Sequence, residues 1–115
     1  MTLDDLLNKQ YIEGEYVCGD WVHDAWEAIT GQRLAHRIET IITDRVVTAA
    51  DRKNWQLLKE PQSPCIVWFS RPNNDSHVGI WYEGRVGHLR QAGPAWHEPD
   101  IAALGYSKRS YVIPR

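Results

Sequence analysis

Residues 77–91 read HVGIWYEGRVGHLRQ. Glu83 and Gly84 lie between two runs rich in β-branched and aromatic residues, which is the pattern of a β-hairpin with a two-residue turn. We therefore predict one strand over residues 77–82 and a second over residues 85–91.

The turn length determines which residues of the two strands face each other. A two-residue loop pairs Tyr82 with Arg85, and the same register places Gly79 opposite His88. Paired residues share a face of the sheet, so His77 and His88 are diagonal neighbours, about 7–8 Å apart and within reach of each other's side chains. Gly79 leaves bare backbone beside them, where another group can approach closely.

Two further strands are predicted outside this hairpin. The apolar run at residues 65–70 is typical of a buried strand, and residues 110–113 form a last, shorter one. Proline and asparagine at positions 72–74 predict a polar turn over residues 71–76.

The clearest helix is predicted over residues 19–30. Its apolar residues recur at spacings of three and four: Trp21, Val22, Ala25, Trp26 and Ile29. Gly31 follows at the position where glycine commonly ends a helix. A short helix is predicted over residues 3–8, and Gly14 favours a loop over residues 11–17.

The segment between this helix and the strands leaves two structures open. Residues 38–42 are apolar and fit either a strand or a helix. Thr48 with Asp51 resembles a capping box, which predicts a second helix over residues 48–58. Helices thus precede an antiparallel sheet, and we expect a single α+β domain over residues 1–115.

Composition excludes several classes of protein. The 115 residues are 43% hydrophobic and 24% charged, with a formal net charge of −2, which is the balance of a globular protein. No basic run or long apolar stretch occurs, so we expect neither nucleic-acid binding nor a membrane span. The N-terminus, MTLDDLLNKQ, lacks the basic and apolar regions of a signal peptide, which predicts a chain that is cytoplasmic when synthesised.

Aromatic residues are abundant, with six Trp and five Tyr against one Phe. Such amphipathic rings suit a half-wet groove that binds a ligand, although a tryptophan-rich core is their commoner use. Trp68, Trp81 and Trp96 are the candidates for lining a groove.

The chain has two cysteines, which a reducing cytoplasm keeps as thiols. Cys65 lies within an apolar run, where cysteine acts as a small hydrophobic residue. Cys18 stands at the start of a helix, where unpaired backbone N–H groups and the helix dipole favour the nucleophilic thiolate. The backbone N–H of Cys18 is also a candidate oxyanion-hole donor.

A cysteine nucleophile needs a base and a group that orients the base. His77 and His88, as diagonal neighbours on one face of the sheet, supply both groups. Together with Cys18 they form a candidate catalytic triad.

Metal binding is the alternative use of these three residues, because the same residue types bind zinc. The other histidines have no predicted part in either site. His36 and His97 have no partner at a metal-ligand spacing, and His23 falls on the exposed face of the main helix.

Several motifs resemble the NlpC/P60 superfamily of papain-like cysteine peptidases, in particular its short members from phage and prophage tails. The motifs span nearly the whole chain: Tyr11-x-x-Gly14, Cys18-Gly-Asp-Trp21-Val22, Gly31-Gln-Arg-Leu34, Ile66-Val-Trp-Phe69, His77-Val-Gly-Ile-Trp-Tyr82, Arg85 to Leu89, and Lys108-Arg-Ser-Tyr-Val112. The His-Val-Gly-Ile strand is the most specific of them. The family usually has Asp directly before its cysteine, whereas Val17 stands here, a departure that concerns the substrate more than the nucleophile.

This resemblance implies a papain-like fold in which N-terminal helices pack on an antiparallel sheet. It makes Cys18 the nucleophile, His77 the base and His88 the residue that orients the base, without a cofactor.

The resemblance also implies a substrate-binding and oxyanion region beside the nucleophile. In the family an upstream tyrosine serves this region, and Tyr11 is the preferred match, with Tyr16 as the alternative. Gly19 and Asp20, which directly follow the cysteine, belong to the same region.

The implied activity is hydrolysis of peptidoglycan stem peptides through a thioester, at a D-glutamyl bond to the diamino acid. The implied partners are the peptidoglycan peptide and phage tail proteins, with the virion tail carrying the chain to the cell wall. Two alternatives remain open. One is a phage tail assembly protein that keeps the fold without activity, and the other is an amidase or acyltransferase acting on a substrate outside the cell wall.

Overall fold

A computed structural model describes residues 2–35, 38, 54–71 and 76–115. Its elements, in chain order, are α1 (Leu3–Leu6), α2 (Cys18–Thr30), β1 (Trp55–Leu58), β2 (Cys65–Ser70), β3 (Ser76–Tyr82), β4 (Arg85–Arg90), β5 (Gly93–His97), α3 (Pro99–Ala102) and β6 (Lys108–Pro114). Two helices precede an antiparallel sheet, which confirms the predicted α+β class. The predictions made for residues 39–42, 48–53 and 72–75 lie outside the described residues.

The six strands form one antiparallel sheet in the order β1-β6-β2-β3-β4-β5. The β3–β4 hairpin has the predicted register, with Tyr82 opposite Arg85. Glu83 and Gly84 have φ angles of 52° and 81°, the positive values that a two-residue type I′ turn requires. A local turn therefore sets the positions of the residues farther along both strands.

Helix α2 packs across one face of the sheet and forms the main core with it. Buried members of this core include Trp21, Val22 and Ala25 from α2 and Val78, Ile80 and Leu89 from the sheet. Burying a Val, Ile or Leu side chain of this core contributes about 1.5–3 kcal/mol. Gly31 ends α2 with a φ of 75°, as predicted, and its N–H bonds to the Glu27 carbonyl at 2.8 Å.

The opposite face of the sheet carries a smaller core of Val67, Phe69, Val86 and Ala102. Ala102 comes from α3, so this short helix covers part of that face. Because side chains alternate along a strand, His77 shares this face with Phe69, its partner on β2. His88 shares the face with Val86, two residues before it on β4.

The predicted helix over residues 48–58 is wrong in its last part, because Trp55–Leu58 is a strand. β1 pairs with β6, with Trp55 opposite Pro114 and Leu58 opposite Tyr111. Pairing at the far end of the chain, together with the burial of Trp55, overrides the local helical pattern.

Two further elements, β5 and α3, are not predicted from the sequence, and β6 is longer than the strand predicted over residues 110–113. Among the described residues, no helix has both the length and the apolar character needed to cross a membrane.

Candidate active site

Three histidines lie in a diagonal row across three neighbouring strands. His77 Nε2 lies 2.8 Å from His88 Nδ1, and His88 Nε2 lies 2.9 Å from His97 Nδ1. The register accounts for the row, because His88 pairs with Ala95 and the next residue of β5 on that face is His97. The predicted proximity of His77 and His88 is therefore present, and a third imidazole extends it.

Gly79 allows β4 to lie this close to β3. A Cβ atom on Gly79 would be 2.7 Å from Val86 Cγ1, 2.9 Å from the Gly87 carbonyl oxygen and 3.3 Å from His88 Cβ. The space that the sequence predicts beside the Gly79 backbone is thus occupied by atoms of β4.

Cys18 is the first residue of α2, as the sequence predicts. Backbone N–H groups of Val78, Gly19 and Cys18 itself lie close enough to its sulfur to lower the pKa of the thiol. Val78 directly follows His77 in β3, so the thiol is held against the strand that carries the candidate base.

One cavity of about 790 Å³ contains Cys18 together with the three histidines. Tyr11 and Tyr106 line it as well, as do Arg71 and Arg90. Among the described residues that line the cavity, none is Asp or Glu. The described lining therefore places two arginines around a thiol and three imidazoles.

Burial raises the pKa of the Cys18 thiol above its ordinary value, and the nearby Asp20 carboxylate raises it further. The surrounding backbone N–H groups lower the pKa, but burial outweighs them. Cys18 is therefore a thiol at neutral pH, which corrects the prediction that the helix start makes it a thiolate. A base has to remove its proton for the sulfur to attack.

Burial lowers the pKa of His88 to about 3, with the adjacent His77 and His97 acting in the same direction. His88 is 4% exposed and neutral at physiological pH. A neutral imidazole has one N–H and one lone pair, so His88 donates a hydrogen bond to one neighbour and accepts one from the other.

Aromatic rings hold the His77 imidazole in place. Phe69 and Tyr106 both stack with it, at centroid distances of 6.1 and 5.9 Å and interplanar angles of 22° and 13°. The Arg71 guanidinium lies 4.5 Å from the Tyr106 ring centroid, and its Nε–H donates to the Gly105 carbonyl at 2.9 Å. These contacts restrict the orientation of the His77 ring.

The two candidate tyrosines are separated by the fold. Tyr11 lines the cavity with Cys18. Tyr16 instead donates its hydroxyl to Asp24 of α2 at 2.5 Å, and its burial raises its pKa. Tyr16 thus ties the preceding loop to the helix, whereas Tyr11 lies in the cavity that contains Cys18.

The two residues after the nucleophile also differ in their surroundings. Gly19 is buried, and its N–H reaches the Cys18 sulfur. The Asp20 carboxylate accepts the N–H of Val17 at 2.9 Å and lines a separate cavity. Asp20 therefore caps the helix that begins at Cys18, away from the space where the histidines lie.

The three candidate groove tryptophans lie outside the cavity. Trp68 is 4% exposed in the main core. Trp96 packs edge-on against Trp21 at 6.0 Å, and Trp81 packs against Tyr111 at 5.9 Å on the other face. All three stabilise the fold.

Two histidines differ from their predicted surroundings. His97, which has no metal-ligand spacing in the sequence, is hydrogen-bonded to His88. His23 is half-buried rather than solvated, and its Nε2 accepts the N–H of Ile38 at 3.2 Å. A predicted pairing of β4 with β5 would have placed His97 beside His88. Gly93 and Pro94 make a strand at this position difficult to predict. His36 lies outside the described residues.

The structure gives no support to the zinc alternative. No group of three or more His, Cys, Asp or Glu among the described residues is arranged to hold a metal ion. Zinc with bonds of about 2.0–2.1 Å in tetrahedral geometry would hold two imidazole nitrogens farther apart than the observed 2.8 Å. The histidines bond to each other instead.

Comparison with protein-family models, with curated proteins and with solved structures found no match to this chain.

Proposed function

We propose that this chain is a cysteine amidase of the NlpC/P60 type, with a papain-like fold, that hydrolyses peptidoglycan stem peptides. The observation that carries the proposal is the cavity shared by Cys18, His77 and His88, in which the two imidazoles are hydrogen-bonded. A nucleophile, a base and a group that orients the base are the minimum set for acyl transfer by a cysteine.

The raised pKa of Cys18 makes His77 a general base rather than half of a standing ion pair. His77 Nε2 bonds to His88, and we assign the uptake of the thiol proton to Nδ1. The sulfur attacks the amide carbonyl carbon, the C–N bond breaks, and the amine leaves with the proton held by His77. Water, deprotonated by His77, then attacks the thioester carbon, and the C–S bond breaks to release the carboxylic acid. His77 returns its proton to the sulfur, which restores the thiol.

The oxyanion that forms during attack needs hydrogen-bond donors beside the nucleophile. The backbone N–H groups of Cys18 and Gly19 already reach the sulfur, and Tyr11 lines the same cavity. We assign the oxyanion-stabilising role to these groups.

Arg90, which lines the cavity and is solvent-exposed, favours a substrate with a carboxylate near the scissile amide. A D-glutamyl residue joined to the diamino acid through its side-chain carboxyl keeps its α-carboxylate for such a contact. The resemblance to phage and prophage tail proteins supports delivery of the enzyme to the wall by a tail.

The test is digestion of purified muropeptides, followed by chromatography and mass spectrometry of the products. The wild type should release fragments cut at a stem-peptide amide. Cys18→Ala should release none, whereas Cys65→Ala, which removes the other, core-buried thiol, should cut normally. Cleavage by Cys18→Ala, or of non-wall amides but not of muropeptides, contradicts the proposal. If the wild type and both variants leave the muropeptides intact, the alternative of a phage tail assembly protein without activity is favoured.

A further inference from the structure

His88 contacts another imidazole besides the candidate base. Its Nε2 lies 2.9 Å from Nδ1 of His97, on the opposite side of the ring from His77. The rings of His88 and His97 meet at 70°, with centroids 5.1 Å apart. The pairing of Val86 with His97 holds this contact within the sheet.

The direction of the hydrogen bonds along this row decides whether His77 can accept a proton. A base at His77 Nδ1 requires the His77 proton on Nε2, where it donates to His88 Nδ1. Because a neutral imidazole has one N–H, His88 then carries its own proton on Nε2 and donates it to His97 Nδ1. In the reverse direction His88 donates to His77 Nε2. His77 then carries its proton on Nδ1, and Nδ1 has no lone pair to accept the thiol proton.

We infer that His97 is a positioning residue: by accepting the His88 Nε2–H, it fixes the tautomer of His88 and keeps the lone pair of His77 on Nδ1. The inference rests on the proposed amidase function and adds a residue outside the triad. Without an acceptor on β5, both tautomers of His88 become accessible, and only one of them leaves His77 able to take the thiol proton.

Two substitutions distinguish the effect of the hydrogen-bond acceptor on His97 from the effect of its side-chain volume. In His97→Asn, the side-chain Oδ1 takes the place of Nδ1 as acceptor, whereas His97→Leu keeps an apolar volume without an acceptor. Glu98→Gln is the matched control, because Glu98 is the exposed next residue and its carboxylate lies 3.8 Å from Arg85.

Steady-state kinetics on a muropeptide substrate give the first readout. His97→Leu should lower kcat about 10-fold with KM unchanged, the scale of loss when a group that orients a functional histidine is removed. His97→Asn should restore most of kcat, and Glu98→Gln should match the wild type. The inference is overturned if His97→Leu retains full kcat, if His97→Asn is as impaired as His97→Leu, or if KM changes instead.

Nitrogen-15 NMR of the ring nitrogens gives a second readout that needs no activity. The wild type and His97→Asn should show His88 protonated at Nε2, and His97→Leu should show a population protonated at Nδ1. A wild-type His88 protonated at Nδ1 overturns the inference, even if His97→Leu does not fold. A wild type that cleaves no muropeptide contradicts the proposed function alone, and these spectra then decide the role of His97.

Discussion

The Nε2 atom of His77 lies 2.8 Å from the Nδ1 atom of His88, although the two residues are 11 positions apart in the chain. Two local features produce this contact. The two-residue turn at Glu83 and Gly84 sets the register. The missing side chain of Gly79 leaves room for the β4 atoms that lie beside it. The contact between the candidate base and its candidate orienting partner thus follows from one hairpin.

Gly79→Ala should separate the two histidines. The added Cβ would lie 2.7 Å from Val86 and 2.9 Å from the Gly87 carbonyl oxygen, and backbone cannot give way cheaply. We expect the free energy of unfolding, measured by urea denaturation, to fall by about 1–3 kcal/mol. Hydrolysis should fall further than the folded fraction does. Wild-type stability and activity in this variant would contradict the close approach.

Alkylation with iodoacetamide across pH should show a Cys18 thiol that is slow at neutral pH. Burial raises the pKa of this thiol, so its reaction at pH 8 should be slower in the native protein than in urea. Asp20→Asn should shift the native curve to lower pH, because the Asp20 charge raises the same pKa. Peptide mass spectrometry reads Cys18 and Cys65 separately. Fast native reaction at pH 6 would instead show a standing ion pair with His77.

Arg90→Gln should weaken the binding of a substrate that carries carboxylates. Arg90 lines the cavity and is solvent-exposed, so its loss should raise KM about 2- to 5-fold, the effect of an exposed ion pair of up to about 1 kcal/mol. The difference should shrink at high salt because exposed charges are screened. Arg85→Gln, an exposed arginine at the other end of β4, should leave KM unchanged. Equal effects of the two substitutions would contradict a substrate contact specific to Arg90.

His88 should make the fold less stable as the pH falls. Its pKa is about 3 in the folded protein, against an ordinary value of 6.5, so below pH 6.5 the unfolded chain binds a proton that the folded chain does not. Stability from this group is therefore lost progressively from pH 6.5 towards pH 3, by at most about 1.4 kcal/mol per pH unit. Urea denaturation at pH 6.5 and 5.0 should show a smaller loss in His88→Gln. An equal loss in both proteins would contradict the buried neutral state.

Much of the site could be predicted because its signals are local. The periodicity of α2, its start at Cys18 and the β3–β4 turn are all encoded within short segments. His97 could not be found this way, because it reaches His88 only through the β4–β5 pairing, and Gly93 with Pro94 gives a weak strand signal.

Features that depend on distant parts of the chain were predicted wrongly. Trp55–Leu58 is a strand only through its pairing with β6. The state of Cys18 was also wrong, because a helix start is visible in the sequence whereas the burial that raises the thiol pKa is created by tertiary packing.

The most direct test of the central claim is to trap the acyl-enzyme. The protein is mixed with a muropeptide or an activated acyl ester, quenched with acid within milliseconds, and analysed by intact and peptide mass spectrometry. We predict an adduct of the acyl mass on Cys18 that neutral hydroxylamine removes. The adduct should be absent from Cys18→Ala and present in Cys65→Ala. An adduct elsewhere, or turnover without any adduct on Cys18, would contradict a cysteine nucleophile at the start of α2.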